Sequence, residues 1–444
     1  MRRLIGLSLL LLALTACAAD LRYDLILSVA ADGALTGEAT VTGIAPGDWT
    51  EAVFRLYPAA TGADRLALRA ASVDGEMRPW ETVEPTVAVV PLSARAGQTF
   101  SLTLAFRGRV PELEDAGGYG IFARTAHSMT LAQAYPVLAP WKGEWQVEPA
   151  FPWGDAVVAA VADYHVLVEV PEGWTVVTSG REVEVGQGLY EAQGDNLREM
   201  MIVLLSGYEA QTASLAGVRL RSLAMPGHRT AGAAALAVAY DALQVYQELL
   251  GPCPFPELDL VEVPLLGAAG VEYPGLILAG TSYYERYSYE RLVFPMIFAH
   301  EAAHQWWYAE VGSNQVAEPW VDEALATYTS GLYFAAQGRF QEILCYWQDA
   351  YRRARGRNRE ATVASPLSAF PGGEGYGGIV YSGGALFLHE VRTRMGDSAF
   401  FQALRRYRDE FRWDIAGGDD LLRILREGSP QPLDDLVQRW LGRP

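Results

Sequence analysis

Hydrophobic and polar positions alternate with a period of two through the first half of the chain, then change to a longer period. Tyr23-Asp24-Leu25-Ile26-Leu27-Ser28-Val29 alternates cleanly, Ala31-Asp32-Gly33 supplies a turn, and a second alternating run reaches Val41, which predicts a β-hairpin. Comparable short runs lie at 52–56, 86–90, 99–106, 165–170, 175–178 and 201–205. Almost nothing before Gln211 has helical period, so this half is expected to be an all-β domain of sheets or a sandwich. After a strand at 218–223 and Pro226-Gly227, an alanine-rich run from Ala231 to Leu250 carries a buried stripe of Leu236, Tyr240, Leu243 and Leu250, and Gly251-Pro252 stops it. Strands are expected at 258–263 and 276–279, then helices at about 288–308, 319–337, 339–354, 379–395, 397–411, 417–427 and 431–441. A glycine-rich loop, Pro371 to Gly378, interrupts them. The fold class is therefore α+β and multidomain, with a β domain at 17–212 and a mainly helical domain at 213–444.

The first segment reads as a targeting signal. Arg2-Arg3 precede an apolar run, Leu4 to Leu14, too short to cross a bilayer comfortably, and the run ends in Leu14-Thr15-Ala16-Cys17. This resembles a bacterial lipoprotein signal, with residues 1–16 removed and Cys17 carrying lipid. The mature protein is then expected outside the cytoplasm, anchored to the bacterial cell membrane through Cys17. Cys253 and Cys345 remain, and spacing does not decide between a disulfide and two thiols.

Composition narrows the partners. In 444 residues half are apolar, enough for a large core, and the net charge of −18 comes without a basic stripe. Nucleic-acid binding is thereby excluded. Excess negative charge suits solubility and, secondarily, cationic ligands such as peptides with free amino termini. The Pro/Trp-rich stretch from Pro136 to Pro152, with Trp141, Trp145 and the following Trp153, is expected to be a loop pinned by its aromatics rather than a substrate-facing wall. His127 and His165 lack partners at ligand spacing and are read as structural or exposed.

The chemistry concentrates in His300-Glu301-Ala302-Ala303-His304. Two histidines four apart share one helix face and can reach one metal ion, while Glu301 beside them can take a proton from a water. Glu323, on a second apolar helix, offers a third, oxygen ligand. Two histidines and one glutamate around zinc form a hydrolytic site with one position left open. An apolar setting (Phe294 to Ala299, Trp306, Trp307) is a costly place for these groups without a metal. One Zn2+ per chain is expected.

These residues carry a family resemblance. His300 to Trp307 and Trp320-Val321-Asp322-Glu323-Ala324 resemble the aminopeptidase N family of zinc metallopeptidases, gluzincins related to leukotriene hydrolase. Gly270-Val271-Glu272-Tyr273-Pro274-Gly275 is similar to that family's exopeptidase motif, and Tyr381-Ser382-Gly383-Gly384-Ala385-Leu386 to the segment bearing its catalytic tyrosine. The resemblance implies a β domain followed by a thermolysin-like catalytic domain, in a short form without the C-terminal helical domain of longer members. It implies that His300, His304 and Glu323 hold zinc and that Glu301 is general base and then proton donor. It places the substrate's free α-amino group on Glu272, with Gly270 and Val271 beside it, and the oxyanion on the Tyr381 hydroxyl; Tyr376 would line the same site. Val271 and Tyr273 stand where the motif has methionine and asparagine, and Asp322 and Ala324 flank the third ligand in place of asparagine and glycine. Gln133 is the nearest counterpart to a family glutamine of the β domain, and His389 is read as structural.

The expected function is thus a zinc aminopeptidase acting on peptides with a free N-terminus. A zinc endopeptidase or epoxide hydrolase on the same site, or a non-catalytic peptide-binding lipoprotein, are the alternatives.

Overall fold

The computed structural model describes residues 20–151, 153–154 and 157–443. The signal segment 1–16 and Cys17 lie outside the described residues, and no helix among those described is long and apolar enough to cross a membrane.

The alternation at the start of the chain does what its period requires. In the strand Leu21–Val29, Tyr23, Leu25, Leu27 and Val29 face the core while Ile26 and Ser28 face outward. It pairs with Ala34–Ile44 as an antiparallel hairpin, Leu21 opposite Gly43 and Val29 opposite Leu35. These two strands lie at the centre of an eight-stranded sheet, and two four-stranded sheets cover it. The Pro/Trp-rich stretch lies on this domain: Trp145 and Trp141 pack on Trp49 with ring centroids 4.6 and 6.1 Å apart, in the β core. His165 bridges Asp24 and Glu191 across neighbouring strands, and His127 is exposed.

The second domain begins with a five-stranded sheet whose spatial order is 209–215, 218–224, 257–263, 276–280, 270–273. The boundary expected between 212 and 213 therefore falls inside the strand Glu209–Leu215, which pairs along its length with Val218–Ala224. A polar alternating strand and its turn look alike on either side of a domain boundary, and only the pairing separates them. The helix Arg229–Leu250 carries the chain between two parallel strands, 218–224 and 257–263. The last strand, Gly270–Tyr273, runs antiparallel along the free edge.

The helical half follows the expected order with altered ends. The helix expected at 288–308 is Val293–Ala303. It ends in tightened turns, with the Gln305 and Trp306 N–H groups on the Ala302 and Ala303 carbonyls, and Tyr308, at φ +120° with its N–H on the Val311 carbonyl ahead, bars any continuation. The run expected at 379–395 begins as a π-turn, Gly377–Ser382, and continues as the helix Gly383–Met395. Cys253 and Cys345 are both free thiols; Cys345 is exposed on the helix Phe340–Arg357.

Ionic contacts join the two domains. Arg221, on the second domain's sheet, bonds Glu182 of the β domain at 2.8 Å and its sheet neighbours Asp259 at 2.6 Å and Glu257 at 2.9 Å. The three carboxylates lie close enough to hold a metal, but Arg221, with Arg219 on Glu257, already supplies the positive charge.

Candidate active site

Two buried helices and one sheet edge meet at the site. Val293–Ala303 is apolar on every face, so it sinks into the core and takes its few polar residues with it. Residues 320 to 334 of the helix Trp320–Ala336 are buried throughout. One turn apart, His300 and His304 present their Nε2 atoms to each other at 3.1 Å. Glu323 Oε2 lies 3.2 Å from His300 Nε2 and 3.6 Å from His304 Nε2.

The donor set fits a metal cation. His304 Nδ1 is 2.8 Å from the Trp307 carbonyl, which can only accept, so the ring proton sits on Nδ1 and a lone pair faces inward from Nε2. Glu323 Oε2 is buried without a hydrogen-bond partner. A lone pair and a buried carboxylate oxygen converging on one point call for a shared cation. Electrostatics agrees: burial works against a charged His304, yet the surrounding Glu272, Glu323 and Glu301 carboxylates outweigh it and hold its affinity for positive charge well up. Burial likewise drives Glu323 upward, but the two imidazoles overcome it and hold the group low, as an anion.

Glu301 is buried, and its Oε2 has no hydrogen-bond partner. Burial, followed by the neighbouring Glu272 charge, raises its pKa well above the ordinary value, the condition of a group poised to accept a proton. It reaches this place because Gly270 leaves room: a Cβ there would lie 2.5 Å from Glu301 Oε1. Strand alternation then aims Glu272 into the same space, with ligand atoms of Glu272, Glu301 and His304 mutually within 4.8 Å. Gln315 Nε2 donates to Glu272 Oε1 at 3.4 Å. The same alternation corrects one expectation: Val271 points to the opposite face, where it packs with Val203, Val261 and Leu278.

Tyr381 comes from the π-turn, a local widening that rotates side chains off the regular helical positions. Close packing brings it in, since a Cβ on Gly384 would stand 2.3 Å from Ala324 Cβ. Its hydroxyl donates to Glu323 Oε1 at 2.5 Å, and its ring stacks 5.5 Å from His300. Tyr376 meets Tyr381 edge-on at 5.3 Å and lines the same cavity of about 430 Å³. Met296, Tyr346 and Trp347 complete its apolar wall, and Tyr119 enters it from the β domain.

Several participants had no clear signal in the sequence. Thr327, one turn beyond Glu323, places Oγ1 3.4 Å from His300 Nδ1; its i+4 spacing is the one trace of it. Gln305 ties the end of the metal-facing helix to the strand edge by donating to the Tyr273 carbonyl at 3.1 Å and accepting from Gly275 N at 2.8 Å. A buried glutamine inside an apolar run was its signal. Gln133 is not in the main cavity: its amide donates to Glu199, and it lines an adjoining apolar pocket. His389 lies apart, its ring 5.2 Å from Phe340.

Comparison with known proteins agrees with this arrangement. Residues 234–440 match the peptidase family M1 domain. Aminopeptidase M1-A of Oryza sativa subsp. japonica is 27% identical over 323 residues, covering 66% of this chain and 36% of that protein. Aminopeptidase N of Lactobacillus delbrueckii subsp. lactis is 25% identical over 230 residues, covering 47% and 26%. The match thus spans about a third or less of these relatives' length. A crystal structure of an M1 zinc metallopeptidase from Deinococcus radiodurans shares the fold, with a TM-score of 0.70 at 21% identity over 95% of this chain and 94% of that one. A mutant M1 zinc metallopeptidase from the same organism, bound to a Tyr-Ser-Ala substrate, superposes with a TM-score of 0.68 at 23% identity. The metal-ligand set, the strand-edge glutamate and Tyr381 all lie within residues 234–440, the segment that is similar to the peptidase family M1 domain.

Proposed function

We propose that the protein is a zinc-dependent aminopeptidase that removes the N-terminal residue of peptides. The observation that carries this reading is the position of Glu272, a buried carboxylate within ligand-atom reach of Glu301 and His304 on the edge of one cavity. A hydrolase indifferent to chain ends has no use for an extra anion there, whereas a free ammonium group does.

His300, His304 and Glu323 would hold zinc, which supplies Lewis acidity toward the scissile carbonyl and the attacking water. The other roles belong to side chains. Glu272 binds the substrate's α-ammonium and so fixes the register, leaving only the first peptide bond at the reacting position. Glu301 takes a proton from the attacking water as the new C–O bond forms, and passes it to the leaving amine as the C–N bond breaks. The Tyr381 hydroxyl, already 2.5 Å from Glu323, donates to the developing oxyanion once substrate is present. Tyr119, Tyr346, Trp347 and Tyr376 exclude water from the cavity.

The deciding experiment compares aminoacyl-nitroanilides with their N-acetylated forms, with and without a chelator. Cleavage confined to free amino termini and abolished by the chelator is expected; equal rates on blocked substrates, or indifference to the chelator, would reject the reading. The signal-like start of the chain supports export and attachment of this enzyme to the bacterial membrane through lipid on Cys17.

A further inference from the structure

The turn that follows the metal-facing helix is held from the other domain. Tyr308 adopts φ +120°, a conformation open to glycine and strained for tyrosine. Two consecutive β-domain residues grip it at both ends. Arg198 Nε donates to the Tyr308 carbonyl at 2.8 Å, and the Tyr308 hydroxyl donates to Glu199 Oε1. Arg198 is 2% exposed, and its other N–H groups donate to the carbonyls of Ala159 at 2.8 Å and Asp414 at 3.2 Å. One guanidinium therefore joins the β domain, the turn and the segment before the helix Gly418–Gly428. Gly312 seals it, since a Cβ there would lie 2.4 Å from the guanidinium carbon.

The residue before Tyr308 completes a chain of contacts. The Trp307 carbonyl accepts the Nδ1 proton of His304 at 2.8 Å, which sets that imidazole's tautomer and tilt. Rotation of the Tyr308 backbone would swing this carbonyl away. A packed apolar contact would join the domains with less desolvation; the buried arginine and glutamate add directional bonds to a carbonyl and a hydroxyl.

We propose that Arg198 and Glu199 are positioning residues of the metal centre, holding Tyr308 in its strained conformation so that the Trp307 carbonyl orients His304 toward zinc. This rests on the zinc-site reading above. It makes metal affinity in one domain depend on a dipeptide in the other.

The test measures the zinc dissociation constant of the full chain by competition with a chromophoric chelator, alongside the melting temperature of the zinc-free protein. Tyr308→Phe removes one hydroxyl, and Arg198→Lys removes the fork that spans three carbonyls. Each is expected to weaken zinc binding by about 10- to 100-fold, the usual cost of losing an outer-shell partner, and to lower kcat more than it raises KM. A scaffold role alone would lower the zinc-free melting temperature and leave affinity untouched. Affinity within about twofold of wild type in folded Tyr308→Phe would overturn the inference. That variant decides even where Arg198→Lys does not fold. Failure of the wild-type chain to bind zinc at all would overturn the zinc-site reading as well, which distinguishes the two failures.

Discussion

Glu301 separates ligand from base. Its carboxylate stands beside the metal-binding atoms with Oε2 unpartnered, while Glu323 lies between the two Nε2 atoms. Glu301→Gln preserves shape and removes basicity. Turnover is expected to fall about 100- to 10,000-fold with zinc still bound at one ion per chain, checked by steady-state kinetics and metal analysis. Loss of the metal instead would mean that base and ligand are exchanged. At this scale the sequence was highly legible: the i, i+4 histidines, the intervening glutamate and a distant acidic residue on an apolar helix each had a physical signature. Thr327, Gln315 and the Trp307 carbonyl did not, because ordinary polar groups acquire a role only through what folds beside them.

Elements deliver those residues by close approach. The edge strand Gly270–Tyr273 can lie against the metal-facing helix because Gly270 has no side chain where the Glu301 carboxylate sits. Gly270→Ala would set a Cβ 2.5 Å from Glu301 Oε1 and 2.7 Å from its carboxyl carbon. The carboxylate or the strand must then shift. Because a displacement near 1 Å costs catalysis heavily, kcat/KM is expected to fall about 100-fold with little change in melting temperature. Retained activity would show that the base does not work from its observed position. Alternation on this strand could be read from sequence only as a choice between two faces. Pairing with Leu276–Gly280 chose the face, sending Glu272 to the cavity and Val271 to the core. Helix ends were less legible than helix cores: Val293–Ala303 stops before a turn whose Tyr308 is bonded by Arg198 and Glu199, far away in sequence.

Across the whole molecule, the domain interface carries a titrating group. Burial raises Glu199 from 4.5 to about 7, against the hydrogen bond from Gln133 and the charge of Arg198. Between those values the folded state holds a proton that the unfolded chain has released. Stability from this group is therefore full below about pH 4.5 and is lost as pH rises toward about 7. Glu199→Gln should show a constant offset from its lost contacts, but a flatter melting-temperature profile across this window. The difference from wild type should amount to roughly 3 kcal/mol between the two ends. Parallel profiles for the two proteins would place this titration elsewhere.

The sequence by itself determined the order of elements, the period of each, and a candidate metal-ligand set with a glutamate beside it. Periodicity is local and the His-Glu-X-X-His spacing lies within two helical turns. The tertiary structure alone decided which strand face meets the cavity, that the whole strand 209–215 belongs to the second domain's sheet, and that Tyr381 reaches Glu323 across 58 residues. It also brought Arg198 and Glu199 to the turn behind His304. These contacts depend on packing and pairing between segments distant in the chain, which no local pattern encodes.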